Sequence, residues 1–346
     1  MRRHETWHGT LCSVWLVAVL TLAAAPSVAA QDFFAGKTMT MVVGSASGTG
    51  YDAYGRAVMR HLVNHLPGKP TGIVQNMPGA GSTRAAAYMS QIAPKDGTTI
   101  AILFPGAIAA PLTAPPGKYR YDPRQFNFLG TADSGTRGCS TSLKSKVKTF
   151  EDAKKYEATI GSTAPGGSTF DYPTMLNRLT GTKFKVVPGY KSTGSIALAI
   201  ERGEVDGWCG IEISTYHAVR PNWIANKEVN FLVQLGLEPN EEMTKAGFPE
   251  VWKFVPPENK VVMEMIVSQQ VFQRPFVAPP GTPADRVKLL AAAFDATMKD
   301  KAFLAEAEKS KLSVNPRTGA QVKALVDKMY SSPKELVERM AKAVAP

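Results

Sequence analysis

The stretch that most constrains the fold is residues 38–56, T-M-T-M-V-V-G-S-A-S-G-T-G-Y-D-A-Y-G-R. Residues 38–43 are a β-branched, apolar run of the kind that forms a buried strand. Residues 44–50 place three glycines and two serines in seven positions, too flexible for the interior of a strand or helix. From Tyr51 the pattern turns helical, with Tyr51, Tyr54, Val58 and Leu62 at three- and four-residue steps. Strand, glycine loop and helix start in succession aim free backbone N–H groups and a helix dipole at one point. Such a cradle suits an anion.

The same order recurs. Residues 72–76 read as a second strand, 77–82 as a second glycine loop, 83–92 as a helix and 98–104 as a third strand. This βαβαβ order predicts a parallel sheet with helical crossovers. The Pro- and Gly-rich stretch 105–123 breaks it. The pattern restarts with a strand at 158–160, a small-residue loop at 161–169 and a helix at 172–179. A strand at 184–187, a helix at 195–202 and a strand at 205–208 follow. The expected architecture is α/β, two lobes around a central cleft. Residues 261–267 read as a further strand. A helix at 284–298, with Thr282 or Asp285 as its cap, leads to helices at 303–309, 320–330 and 333–344. These late helices are expected to pack on the first lobe. The expected divisions are 1–30, a leader; 31–135, the first part of lobe 1; 136–254, lobe 2; and 255–346, the return to lobe 1.

The leader opens with Arg2, Arg3 and His4, followed by an apolar stretch at 11–25 too short to span a bilayer comfortably. Val28-Ala29-Ala30 offers small residues for cleavage, so residues 1–30 read as an export signal cut near Ala30. An uncleaved membrane anchor is the competing reading. The mature chain of about 316 residues fits one large or two medium domains. Its formal charge is +11, or +10 without Arg2, Arg3 and Glu5. Lys144, Lys146 and Lys148 are the densest basic alternation and no aromatics interleave with them, which argues against nucleic acid. A basic surface on an exported protein suits anionic solutes or solubility. Cys139 and Cys209 form an even pair for an oxidising compartment. They read as a disulfide within the second lobe, with two buried free thiols as the alternative.

Enzyme patterns fail one by one. Residues 48–53 match G-x-G-x-x-A after a strand, yet no acidic residue follows about 20 positions later to hold a ribose. Gly44-Ser45-Ala46-Ser47-Gly48 has alanine where a nucleophile elbow needs serine. His61 and His65 are four apart but lack the H-E-x-x-H context of a metal pair. Glu201, Glu204 and Asp206 read as solvated groups at a helix end and a strand entry. No catalytic set, cofactor site or metal site emerges, and a periplasmic α/β enzyme such as a hydrolase is the alternative class.

Several stretches together resemble the Bug-type extracytoplasmic solute receptors of tripartite tricarboxylate transporters. They are the first glycine loop with Asp52; Gln75-Asn76-Met77-Pro78-Gly79-Ala80-Gly81; Ala93-Pro94-Lys95-Asp96-Gly97-Thr98; Tyr121-Asp122-Pro123; Ile160-Gly161-Ser162; Val187-Pro188-Gly189-Tyr190-Lys191; Arg202-Gly203-Glu204-Val205-Asp206; and Ala278-Pro279-Pro280-Gly281-Thr282-Pro283. They occur in the family's order along most of the mature chain. The resemblance implies a two-domain, type II periplasmic-binding-protein fold. It implies a monomer without cofactor that holds a small carboxylate solute and delivers it to membrane permease subunits. The implied ligand contacts are Ser45, Ala46, Ser47, Gly48, Thr49, Gly50 and Tyr51, with Asp52 at the helix start. Gly81 lies in the neighbouring loop, and Ser162, Gly166, Gly167, Ser168 and Thr169 form the second clasp. The chain departs from the family at Ser47-Gly48-Thr49-Gly50-Tyr51, at Gly189 and at Gly207-Trp208-Cys209-Gly210, positions that bear on which solute is held. Dicarboxylates, tricarboxylates, aromatic acids and amide-bearing acids share the same handle.

Overall fold

The computed structural model describes Met1 and residues 33–115, 117–163 and 167–345. The leader, its cleavage point near Ala30 and the loop residue Gly166 lie outside the described residues. The chain builds two sheets in turn. Strands β1 (Thr38–Val43), β2 (Thr71–Asn76), β3 (Thr99–Ile102) and β4 (Asn127–Thr131) begin the first. Strands β5 (Arg137–Ser142), β6 (Ala158–Gly161), β7 (Phe184–Val187), β8 (Gly207–Glu212) and β9 (Val229–Leu235) make the second. Strands β10 (Pro275–Ala278) and β11 (Arg317–Thr318) return to the first. The orders are β11-β4-β10-β3-β1-β2 and β7-β6-β8-β5-β9.

Neither sheet is purely parallel. β1 runs parallel to β2 and β3, as the crossover pattern predicts. However, β10 enters antiparallel between β3 and β4, and β5 lies antiparallel between β8 and β9. Both intruders are the first strands laid down after the chain crosses from one sheet to the other. No helical crossover within their own sheet precedes them, so nothing turns them parallel.

The helices are α1 (Gly50–Leu62), α2 (Thr83–Gln91), α3 (Pro105–Thr113), α4 (Phe150–Lys155), α5 (Ser168–Thr180), α6 (Thr193–Arg202), α7 (Ile213–Val219) and α8 (Pro221–Ala225). They continue with α9 (Glu241–Ala246), α10 (Lys260–Val267), α11 (Ala284–Thr297), α12 (Lys301–Lys309), α13 (Gly319–Tyr330) and α14 (Lys334–Val344). Residues 261–267, expected as a strand, are helix α10. Val262, Met263, Met265, Ile266 and Val267 are buried, while Val261 and Glu264, three apart, stay open to solvent. That wide apolar face is helical in period, and it overrides the β-branched composition. Helix α3 occupies part of the region expected to be irregular, with Pro105 in the first turn, where a missing N–H costs nothing. Helix α11 has no side-chain cap. Pro283 sits at its N-cap position, and the Thr282 hydroxyl instead donates to the Pro279 carbonyl at 2.9 Å in the preceding turn.

The two crossings, 132–136 and 236–274, run side by side where they join the sheets. The Ala132 N–H donates to the Arg274 carbonyl at 3.2 Å, and the Gly135 N–H to that of Gln270 at 3.3 Å. Asn315 braces the first crossing: its backbone N–H reaches the Ala132 carbonyl, its amide donates to the Ser134 carbonyl, and its own carbonyl accepts from the Ser134 hydroxyl. One buried apolar cluster takes residues from both halves, Val42, Ala85 and Met89 from the first and Cys139, Ile160 and Leu176 from the second. Helices α11 and α13 pack on β4 and α12 on α1, as expected of late helices. Helix α14 departs from that expectation. It packs on α5 of the second half as well as on α3 of the first.

Cys139 and Cys209 are joined in a disulfide between neighbouring strands β5 and β8, both fully buried. Closing a loop across a separation of 70 residues removes denatured-state freedom worth about 4 kcal/mol on the chain-entropy account. Among the described residues, no helix is long and apolar enough to cross a membrane.

Candidate functional site

The first glycine loop is set by one carboxylate. Asp52, in the first turn of α1, turns back to accept from the Gly48 N–H at 2.9 Å and the Ser47 hydroxyl at 3.4 Å. The Arg56 Nε reaches both of its oxygens at 3.0 Å, and the Asn76 amide donates to it at 2.9 Å. Burial opposes its charge, but these bonds prevail and hold the carboxyl at about 2. The same Asn76 amide also reaches the Ser45 carbonyl at 3.1 Å, tying β2 to the loop. Thr49 caps α1 by accepting from the Asp52 N–H, and its hydroxyl lies 2.7 Å from that of the buried Ser45. Ala46, Ser47, Gly48, Thr49 and Gly50 are exposed. The N–H groups of Gly50 and Tyr51, in the first turn, have no acceptor within their own helix. Gly81 is exposed in the adjoining loop, and its neighbour Ser82 is packed so tightly on Gly44 that a side chain there would collide with the Ser82 Oγ.

The second loop is built differently. The Ser162 N–H donates to the Val187 carbonyl at 2.8 Å, while its hydroxyl is buried without a partner. The buried Thr169 hydroxyl accepts from the Thr163 N–H at 3.0 Å, which ties the far side of the loop to α5. Gly167 occupies the N-cap position of α5 without a side-chain bond, and Ser168 opens the helix. Gly210, at φ +72° in β8, lies beneath it. A Cβ at that position would run into the Ser168 carbonyl, so only glycine lets α5 begin this close to the sheet.

Side chains from the crossings link the two helix starts. The Tyr51 hydroxyl donates to the Gln273 carbonyl at 2.8 Å, and the Gln273 Oε1 accepts from Arg137 at 3.1 Å. Arg137 in turn donates to the Ser168 Oγ and the Gly210 carbonyl, each at 3.0 Å. Arg137 and Glu212 face each other across β5 and β8 and pair at 2.7 Å, each about 15% exposed. Arg274 lies 3.9 Å from the other Glu212 oxygen, with its guanidinium 4.4 Å from the Tyr51 ring centre and 5.1 Å from that of Tyr54. Asp133, 2% exposed, completes the group from the first crossing. Burial, and then the charge of Glu212, push its carboxyl up to about 7. Burial also acts on Glu212, but Arg137 and Arg274 outweigh it and hold that carboxyl below its ordinary range. Tyr172 in α5 is pushed up to about 12 by burial, and its oxygen accepts from the Gln270 amide at 2.6 Å.

The structure therefore brings Tyr51 and Ser168, one from each expected loop, to a charged floor that the sequence reading did not include. Asp133, Arg137, Glu212, Gln273 and Arg274 come from four separate segments and belong to no motif. One signal was available: S-Q-Q-V-F-Q-R-P at 268–275 places three glutamines and an arginine directly before an apolar strand. The residues set aside as non-catalytic lie in structural contacts. His61 and His65 pair with Glu306 and Asp300 of the α12 region, Glu201 with Arg220, and Asp206 accepts from the Thr159 N–H and hydroxyl. Trp208 is fully buried against Tyr216 and Trp223. Among the described residues, no group of His, Cys, Asp and Glu could hold a metal ion.

No family model matches the chain. A Cupriavidus necator protein described as "UPF0065 protein in gbd 5'region" is 30% identical over 197 residues, 54% of this chain and 58% of that relative. The match thus spans little more than half the length of the relative. A TctC solute binding protein from Polaromonas superposes with a TM-score of 0.68 at 17% identity, covering 88% of this chain and 98% of the other. The fold is that of the TctC and Bug solute-binding proteins. The periplasmic binding protein BugD matches with a TM-score of 0.59 at 21% identity, over 89% of this chain and 97% of its own. MatC from Rhodopseudomonas palustris, solved with bound malate, gives 0.61 at 21% identity, over 87% and 99%. The resemblance to the Bug-type receptors is borne out, with the TctC and BugD fold extending over most of the chain and two α/β lobes among the described residues.

Proposed function

We propose that this protein is an exported receptor that captures a small carboxylate solute between its lobes and carries out no chemistry on it. The observation that carries the reading is the convergence of two helix starts, at Gly50 and Ser168, joined through Tyr51, Gln273 and Arg137. Helix N-termini with free N–H groups favour anions without needing a titrating side chain. The solute's carboxylate is held by the backbone of residues 45–51 and by 162 and 166–169, with Gly81 at the edge and Asp52 fixing the loop from behind. Malate in MatC supports a small carboxylate as the guest. On this reading residues 31–135 and 255–346 form one lobe and 136–254 the other, with the two crossings as the joint. The mature protein works in the periplasm as a monomer, and a tripartite tricarboxylate permease takes the solute from it.

A thermal-shift screen of the purified mature protein against a library of carboxylates tests this. At least one compound raises the melting temperature, since a ligand at a hundred times its Kd adds about 2.7 kcal/mol. That compound is recovered unchanged after incubation. No shift with any carboxylate, or conversion of the bound compound, overturns the reading.

A further inference from the structure

The two arginines on the floor are not used alike. Arg137 spends its guanidinium on Ser168, Gly210, Gln273 and Glu212. Arg274 donates to the Gln273 carbonyl at 3.1 Å, interacts with the Tyr51 hydroxyl and stands 3.9 Å from Glu212. Its Nε is buried without a partner, and so is the amide nitrogen of the neighbouring Gln273, a residue only 1% exposed. Two guanidiniums here face one carboxylate that is held ionised and a second, Asp133, that burial keeps partly protonated at neutral pH. The floor therefore carries surplus positive charge and unspent donors, both costly in a nearly dry site. Arg274 is parked on the ring of Tyr51, in the first turn of α1 and next to the exposed loop.

We propose that Arg274, with Gln273 beside it, is a side-chain subsite for a second anionic group of the solute, separate from the backbone cradle that holds the first carboxylate. This rests on the reading of the two loops as a solute site. As the lobes close, a second carboxylate reaches Arg274 and takes up the donors that the unliganded protein leaves unspent. Arg137 stays with Glu212 and positions the floor. A monocarboxylate fills the cradle alone and leaves Arg274 as it stands.

The experiment measures affinities of the mature protein by calorimetry for succinate, glutarate and adipate, each against its half-amide and against the monocarboxylate of equal length. The diacid that fits best binds at least about tenfold tighter than its half-amide, because one charged contact is lost. In Arg274→Gln that preference falls to near one. Arg274→Lys, which keeps the charge, recovers part of it. Equal affinity of every diacid and its half-amide in the wild-type protein overturns the proposal without using any variant. So does a preference that survives Arg274→Gln. If mono- and dicarboxylates bind alike, the receptor reading stands and this subsite falls. If none binds, this subsite falls, and the receptor reading is decided by the wider carboxylate screen.

Discussion

Asp133 shows how far one residue's behaviour depends on neighbours distant in sequence. Its carboxyl titrates near 7 in the fold and near the ordinary carboxylate value of about 4 in an unfolded chain. The folded state therefore binds its proton more tightly. The stability this group contributes is complete below about pH 4 and is lost as pH rises through 7, at up to about 1.4 kcal/mol per pH unit. Asp133→Asn mimics the protonated form. Its melting temperature exceeds that of the wild type at pH 8, and the gap closes toward pH 4; melting curves that run parallel over that range would rule the account out. None of this was legible in the sequence, where Asp133 is one acid in a polar linker. The glycine loops were legible, because a backbone cradle needs small residues in a fixed local order. A charged floor assembled from two crossings and two strand ends leaves no such local record.

At the scale of elements, the approach of α5 to β8 depends on Gly210. Alanine there takes a backbone conformation that costs roughly 1–3 kcal/mol, and its methyl group meets the Ser168 carbonyl. Gly210→Ala is expected to keep its helix content by circular dichroism, melt several degrees lower and bind carboxylates at least about tenfold more weakly by calorimetry. Native affinity in a folded variant would mean that α5 does not present its N-terminus to the solute. Strand, loop and helix order could be read wherever each element was followed by its own crossover. It failed at α10, whose valines and isoleucine suggested a strand until packing on both sides imposed a helical period. It did not reach β5 and β10, whose direction is set by arrival from the other sheet and not by their composition.

At the scale of the whole molecule, two lobes were anticipated from the second strand–loop–helix unit, but the way they are held together was not. The late helices looked like additions to one lobe. Helix α14 instead touches α3 in one half and α5 in the other, and Arg178 of α5 donates to the Lys342 and Ala345 carbonyls at 2.5 and 2.6 Å. The apolar cluster beneath it is likewise continuous from Val42 to Leu176. An amphipathic pattern says that a helix face is buried, never which neighbour buries it.

That shared apolar cluster bears on how the protein comes apart. Two bodies joined only by linkers would melt independently, each with its own heat-absorption peak. Here each half has an apolar cluster of its own, but either one, on losing its packing, also strips cover from the other along the shared cluster. Calorimetry of the oxidised protein is expected to give one endotherm whose measured enthalpy equals its van't Hoff enthalpy. Two resolved endotherms would refute that coupling. Two halves that each carry a sheet of their own can still be thermodynamically a single cooperative unit.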